Sequence, residues 1–253
     1  MLNEIINACQ YLLHNDPDAQ ETLEYLNHRL NKESQEKFKF GYFPSIKNIS
    51  LLSSIVGEKC LIDNKLLFQK EINDSSGHLN SYINYFENYP LIMPYYDVYG
   101  NPIALVARTL LNEEYRRELK ISKYKNTVFK KRNHLFGLNI AKHNILKQDS
   151  VYICEGQFDI IKAHEFGFNN CVALGNSNMT MEQFLLIIRY TNNIFMLLDN
   201  DEAGDKGYQR AFDKFKKHCN IQRCRVPNEY HDLDEYISSI KSKDDFNLQI
   251  CNQ

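Results

Sequence analysis

Three short apolar runs, VYIC at 151–154, CVAL at 171–174 and IFMLL at 194–198, are each followed by polar turn residues and then by a stretch with helical spacing. Apolar runs this short, bounded by turn signals, read as buried strands, and the helical stretches between them (160–166, 181–190 and 204–219) make parallel βαβ crossovers. The expected fold is therefore α/β, with a parallel sheet covered on both faces. Active sites of such sheets form at the carboxyl ends of the strands. The residues just beyond each run are thus the informative ones.

The first run ends in Glu155-Gly156, and Asp159 comes one helical turn later, so the two carboxylates share a face if a helix begins there. The third ends in Asp199-Asn200-Asp201, whose acids project the same way from extended backbone. HDLDEY at 231–236 repeats that alternation with Asp232 and Asp234 and reads as a further strand end. Clustered carboxylates raise one another's pKa and call for cations. An oxygen-only set suits Mg²⁺ or Mn²⁺ and not zinc, and its common use is two-metal phosphoryl chemistry. Each acid taken singly also suits a plain helix cap.

The first half is less regular. Apolar residues from Leu2 to Lys37 recur at three- and four-residue steps, which gives two short helices broken by Asn15, Asp16, Pro17 and Asp18. Residues 38–88 yield no topology. At 90–110, two apolar runs flank Asp97, Gly100, Asn101 and Pro102, the turn chemistry of a hairpin. Between Arg108 and Arg132 nine Lys and Arg stand against Glu113, Glu114 and Glu118, a local excess of +6 in a chain whose net charge is −2. Such a strip either holds a phosphate backbone or is a solvated, salt-bridged face. A linker comes next at 147–150, so the chain divides into 1–148 and 149–253.

Seven scattered cysteines without metal-ligand spacing indicate reduced thiols in a cytoplasmic protein. Nothing approaches the roughly 18 consecutive apolar residues of a membrane span, and the N-terminus lacks the basic-then-apolar order of a secretory signal.

VYICEGQFD, CVALGNSNMT and LLDNDEAG resemble, in order, the signature stretches of the TOPRIM domain, and the similarity to bacterial-type DNA primases extends from about Tyr11 to Tyr236. Early elements are Tyr25-Leu26, Arg29, Leu30, Glu33, Phe38 and GYFP; later come MPYYDVYGNPIALVARTL, KYKN and FKKRNHLFGL. The resemblance implies an α+β N-terminal basic subdomain followed by a TOPRIM Rossmann-like sheet. It implies that Glu155, Asp159, Asp199, Asp201, Asp232 and Asp234 hold two or more Mg²⁺ or Mn²⁺ ions. Catalysis would fall to Glu155, Asp199, Asp201, Lys123 and Lys131. Contact with DNA or nucleotide would fall to Arg108, Lys123, Asn126, Lys130, Lys131 and Arg132.

The implied function is template-directed synthesis of short RNA primers on single-stranded DNA from ribonucleoside triphosphates. A replicative helicase or a separate zinc-binding protein would be its partner. Some positions depart from the family: Asn88 and Pro90 stand where an Arg pair precedes the hairpin, Leu30 follows Arg29 without the intervening Gly, and Lys131-Arg132 replaces Lys-Gly. With no zinc ribbon ahead of the core and no helicase-docking domain after it, the expectation is a minimised core of the kind a virus or mobile element encodes. The alternatives are a TOPRIM nuclease, for which KYKN and FKKRNHLFGL would be superfluous, and a degenerate core acting as a DNA-binding replication accessory protein.

Overall fold

The computed structural model describes residues 1–74, 77–240, 245–246 and 248–251. The chain forms two compact units, one from Met1–Tyr95 and Pro102–Phe129, the other from Tyr96–Asn101 and Lys130–Gln253.

In the first unit, α1 (Leu2–Asn15), α2 (Gln20–Arg29) and α3 (Lys32–Lys37) come first, with a 3-10 turn at Pro17–Ala19. The apolar stripe of α1 is the expected one: Ile5, Ile6, Cys9, Leu12 and Leu13 are all buried. The break falls where expected, because Pro17 cannot continue the ladder and Asp16 caps the turn by accepting from the Asp18 N–H at 3.0 Å. The short α3 is an addition, capped by Asn31, whose side chain accepts from the Ser34 N–H at 2.8 Å.

Residues 38–88, where the sequence shows no clear period, contain β1 (Gly41–Tyr42), α4 (Ile49–Val56), α5 (Glu58–Asp63), β2 (Leu67–Asp74) and β3 (Gly77–Asn84). Strands β2 and β3 pair with each other as an antiparallel ribbon. Gly41 is required by packing: a Cβ there would lie 2.8 Å from the Cys9 backbone carbon. Next come β4 (Leu91–Tyr96), β5 (Pro102–Arg108), α6 (Glu113–Glu118) and β6 (Tyr124–Asn126), and the sheet order is β1-β4-β5-β6. The hairpin expected at 90–110 is therefore present. In its turn Asp97 accepts from the N–H groups of Tyr99 and Asn101, both at 2.9 Å.

The second unit contains α7 (Leu138–Gln148), β7 (Val151–Cys154), α8 (Gln157–Glu165), β8 (Cys171–Ala173), α9 (Met181–Ile187), β9 (Asn193–Met196), α10 (Glu202–Phe215), β10 (Asn220–Arg225), α11 (Leu233–Ser239) and β11 (Gln249–Cys251). Its sheet runs β11-β10-β9-β7-β8, with β10, β9, β7 and β8 parallel and β11 antiparallel at the edge. The chain steps from β7 out to β8 and returns to the other side of β7 as β9. A crevice opens at such a reversal, and it places the ends of β7 and β9 side by side. Leu138, Ala141 and Ile145 of α7 are buried in the same core as Ile153, Val172 and Met196.

HDLDEY is corrected by the structure. Asp232 is the N-cap of α11 and Asp234 lies in that helix's first turn, so the segment is a helix start and not a strand end. An Asx cap and an alternating strand both place acids two apart, and spacing alone does not separate them. Among the described residues no helix is long and apolar enough to cross a membrane, and Cys9, Cys60, Cys154, Cys171, Cys219 and Cys224 are free thiols.

Candidate active site

The acids of the second unit converge, and their mutual electrostatics show it. Glu155 is pushed up to about 7, chiefly by burial and then by the charges of Asp199 and Asp201. Burial also raises Asp199, reinforced by Asp232 and Asp201 and opposed by His231 and Arg223. Asp159, 7% exposed, is held well above the usual carboxylate range by burial and by Asp232, Asp199 and Asp234. Like charges that raise one another's pKa in this way share one electrostatic environment. The six acids are thus linked electrostatically, with Asp159, Asp201, Asp232 and Asp234 all placed at helix starts.

Local structure fixes each of them. Asp201 caps α10 by accepting from the Gly204 N–H at 2.7 Å, and Asp232 caps α11 by accepting from the Glu235 N–H at 2.7 Å. Asp159 accepts from the Gly156 N–H at 2.9 Å and from the Asp234 N–H at 3.3 Å, which ties α8 to α11. Gly204 packs so tightly that a Cβ would sit 2.2 Å from the Asp199 carbonyl oxygen, so only glycine lets α10 start here.

Two residues missed in the sequence complete the site. His231 places Nε2 3.7 Å from Asp199 Oδ2, and Asp199, Asp201 and His231 offer ligand atoms within 4.8 Å of one another. Arg223, 2% exposed, donates through Nη1 to the carbonyls of Met196, Leu198 and Cys224 at 3.1, 2.9 and 3.1 Å, and through Nη2 to that of Asp199 at 2.8 Å. It also faces Asp205 at 3.4 Å. A histidine beside an acid pair was a legible signal for His231. Nothing in the sequence marks Arg223, because an arginine at an inward position breaks the apolar alternation of β10 and hides the strand itself.

The residues suit a divalent cation on one observation: Glu155 Oε1 is buried without a hydrogen-bond partner while burial and two neighbouring acids oppose its charge. An ion relieves both penalties. The metal-free protein should accordingly lose stability as pH rises. Glu155, Asp159 and Asp199 bind protons more tightly folded than unfolded, so their stabilising effect is complete below the unfolded carboxylate range. For Glu155 it is lost as pH climbs through about 7. Thermal melts in EDTA should show Tm falling from about pH 5 to about pH 8, with a shallower fall in Glu155→Gln; a Tm that rises across this window would contradict the burial of these acids.

The basic residues divide between the units. In the first, the Arg108 guanidinium stacks 5.1 Å from the Tyr25 ring centroid and 5.3 Å from that of Tyr124, and its Nη1 donates to Tyr124 Oη at 2.7 Å. Lys123 is exposed, and Asn126 Oδ1 is buried without a hydrogen-bond partner. Asn88 is exposed, and the Pro90 carbonyl accepts from the Phe43 N–H at 2.8 Å. In the second unit Lys131 Nζ donates to the Gly175 carbonyl at 2.7 Å, and burial lowers its pKa. Arg132 pairs with Glu182 at 2.7 Å, and Lys130 is exposed. The +6 strip is thus partly salt-bridged, with Arg117 also paired to Glu113.

Two family models match the chain: "DNA primase catalytic core, N-terminal domain" over residues 9–142 and "Toprim-like" over residues 152–237. The DNA primase of Chlamydia pneumoniae is 28% identical over 90% of this chain and 37% of its own length. That of Synechococcus elongatus is 28% identical over 87% of this chain and 32% of its own. The chain thus spans about a third of the length of these curated relatives. Among solved structures, the zinc-binding and RNA polymerase domains of the Aquifex aeolicus primase match with TM-score 0.74 at 25% identity, over 96% of this chain and 57% of that one. The E. coli primase catalytic core shares the fold at TM-score 0.74 and 23% identity, over 94% of this chain and 76% of that one. Matched over more than half its length by the primase core model and over most of the remainder by the Toprim-like one, the chain belongs to the DNA primase catalytic-core family.

Proposed function

We propose that this chain synthesises short RNA primers on single-stranded DNA, using Mg²⁺ or Mn²⁺ held by its acidic cluster. The observation that carries the proposal is Glu155, half-buried and repelled by Asp199 and Asp201, with a carboxylate oxygen left without a hydrogen-bond partner. Glu155, Asp199 and Asp201 would hold the ions, with Asp159, Asp232 and Asp234 around them. Asp159 is fully engaged with backbone N–H groups and serves best as the brace between α8 and α11. Bound divalent ions supply charge neutralisation for the triphosphate and activation of the primer hydroxyl.

The functional division follows the sequence: residues 1–148 as the basic portion that handles template and nucleotide, 149–253 as the metal-binding portion. Arg108, Lys123, Asn126, Lys130, Lys131 and Arg132 are the proposed contacts, and Lys123 and Lys131 are also assigned to catalysis. Exposed Lys130 can meet phosphate directly, Lys123 would do so from beside the Tyr124 ring, 5.9 Å from its centroid, and Lys131 must exchange its bond to Gly175 for one to the ligand. Support for single-stranded DNA as the template comes from a similar structure, a primase catalytic domain bound to single-stranded DNA, at TM-score 0.72 and 21% identity. A replicative helicase or a separate zinc-binding protein is the proposed partner, and the cytoplasm the proposed compartment.

The test is incorporation of labelled ribonucleotides on a library of single-stranded DNA templates with Mg²⁺ or Mn²⁺. Short template-dependent products support the reading. Metal-dependent degradation of the template, without synthesis, would replace it with a nuclease, and DNA binding without either would replace it with an accessory protein.

A further inference from the structure

The loop that carries His231 is fastened to the residue between the two aspartates. Asn200 donates its backbone N–H to the His231 carbonyl at 2.7 Å, and its side-chain amide donates to the carbonyls of Tyr230 at 2.9 Å and Val226 at 3.1 Å. The His231 N–H in turn donates to Glu235 Oε2 at 2.7 Å. The backbone at 231 is therefore locked in register with Asp199 and Asp201 by bonds that do not involve the imidazole. That ring stands with Nε2 3.7 Å from Asp199 Oδ2, its side chain 56% exposed. Two ligands of one six-coordinate ion, each about 2.1 Å from it, lie about 3 to 4 Å apart, so the observed spacing suits a shared ion with little movement.

We infer that His231 donates an imidazole nitrogen to the ion held by Asp199 and Asp201, which makes this a mixed oxygen and nitrogen site that prefers a transition ion such as Mn²⁺ to Mg²⁺. The inference rests on the reading of the acidic cluster as a divalent-metal site. Its chemistry is general: Mg²⁺ takes oxygen and keeps its waters, whereas imidazole adds affinity for first-row transition ions. Asp232, the neighbouring carboxylate, has one oxygen committed to the α11 cap, and among the described residues of this loop it is His231 that joins Asp199 and Asp201 in a set of ligand atoms within 4.8 Å of one another.

The test uses tag-free full chain with Mn²⁺ alone and with Mg²⁺ alone. Pulsed EPR of the Mn²⁺-loaded wild type should show ¹⁴N modulation, absent in His231→Ala. Titration should show Mn²⁺ binding weakened about tenfold in that variant, the usual size of effect for a lost metal-linked group, with Mg²⁺ binding changed less than about twofold. His231→Asp should bind Mg²⁺ more tightly than wild type and show no nitrogen signal. Saturable Mn²⁺ binding that is lost in Asp199→Asn/Asp201→Asn but carries no nitrogen modulation and does not change in His231→Ala would overturn this inference and leave the acidic site standing. Absence of saturable Mn²⁺ binding in wild type would overturn both.

Discussion

Replacing Asp199 and Asp201 together by asparagine should reduce ribonucleotide incorporation by about a thousandfold or more, as expected when the groups that hold catalytic ions are removed. Folding should survive. Asparagine is as good an N-cap as aspartate, so the bond from the Gly204 N–H that starts α10 persists. Removing two like charges from beside Glu155 and Asp232 also relieves repulsion, so the metal-free variant should melt at or slightly above the wild-type temperature. Added Mn²⁺ should raise the wild-type Tm and leave the variant unmoved. Retained synthesis with a normal melt would remove these aspartates from the metal site; lost synthesis with a collapsed melt would show that the cap, and not the ion, had been disturbed.

Arg223→Met should destabilise the second unit by about 3–5 kcal/mol. The methionine fills much of the volume, but the carbonyls of Met196, Leu198, Cys224 and Asp199 lose the donors they share in one guanidinium. Buried acceptors stranded in this way cost about 1 kcal/mol or more each. The drop in Tm should be about 10 °C, and divalent-ion affinity should fall with it at temperatures where the variant is folded, because the Asp199 main chain loses an anchor. Arg223→Lys should recover a part only, since one ammonium cannot span four carbonyls. A loss below about 1 kcal/mol would mean that water or rearranged backbone satisfies those carbonyls.

How much was legible depended on how strongly each element obeyed a single periodicity. The runs at 151–154, 171–174 and 194–198 are buried on both faces, and their unbroken apolarity separates them from everything around them; Glu155 and Asp199 follow from their ends. Strand β10 escaped because Arg223 is buried at a position where a strand of this kind ordinarily carries Val or Ile. HDLDEY misled because caps and strands share a two-residue spacing. Residues 38–88 were opaque since β1 spans only Gly41–Tyr42 and α5 only Glu58–Asp63, too short to display a period. The +6 strip was visible as composition, but which of its members are engaged depends on the Glu182 carboxylate and the Gly175 carbonyl, far away in sequence.

The side chains of Asp159, Asp201 and Asp232 are each held to a backbone N–H in a single orientation. Their rotational freedom is therefore surrendered when the chain folds, not when an ion arrives, and these three acids need no reordering at that moment. The ordering cost that remains to be met on binding then falls on Glu155, Asp199 and His231.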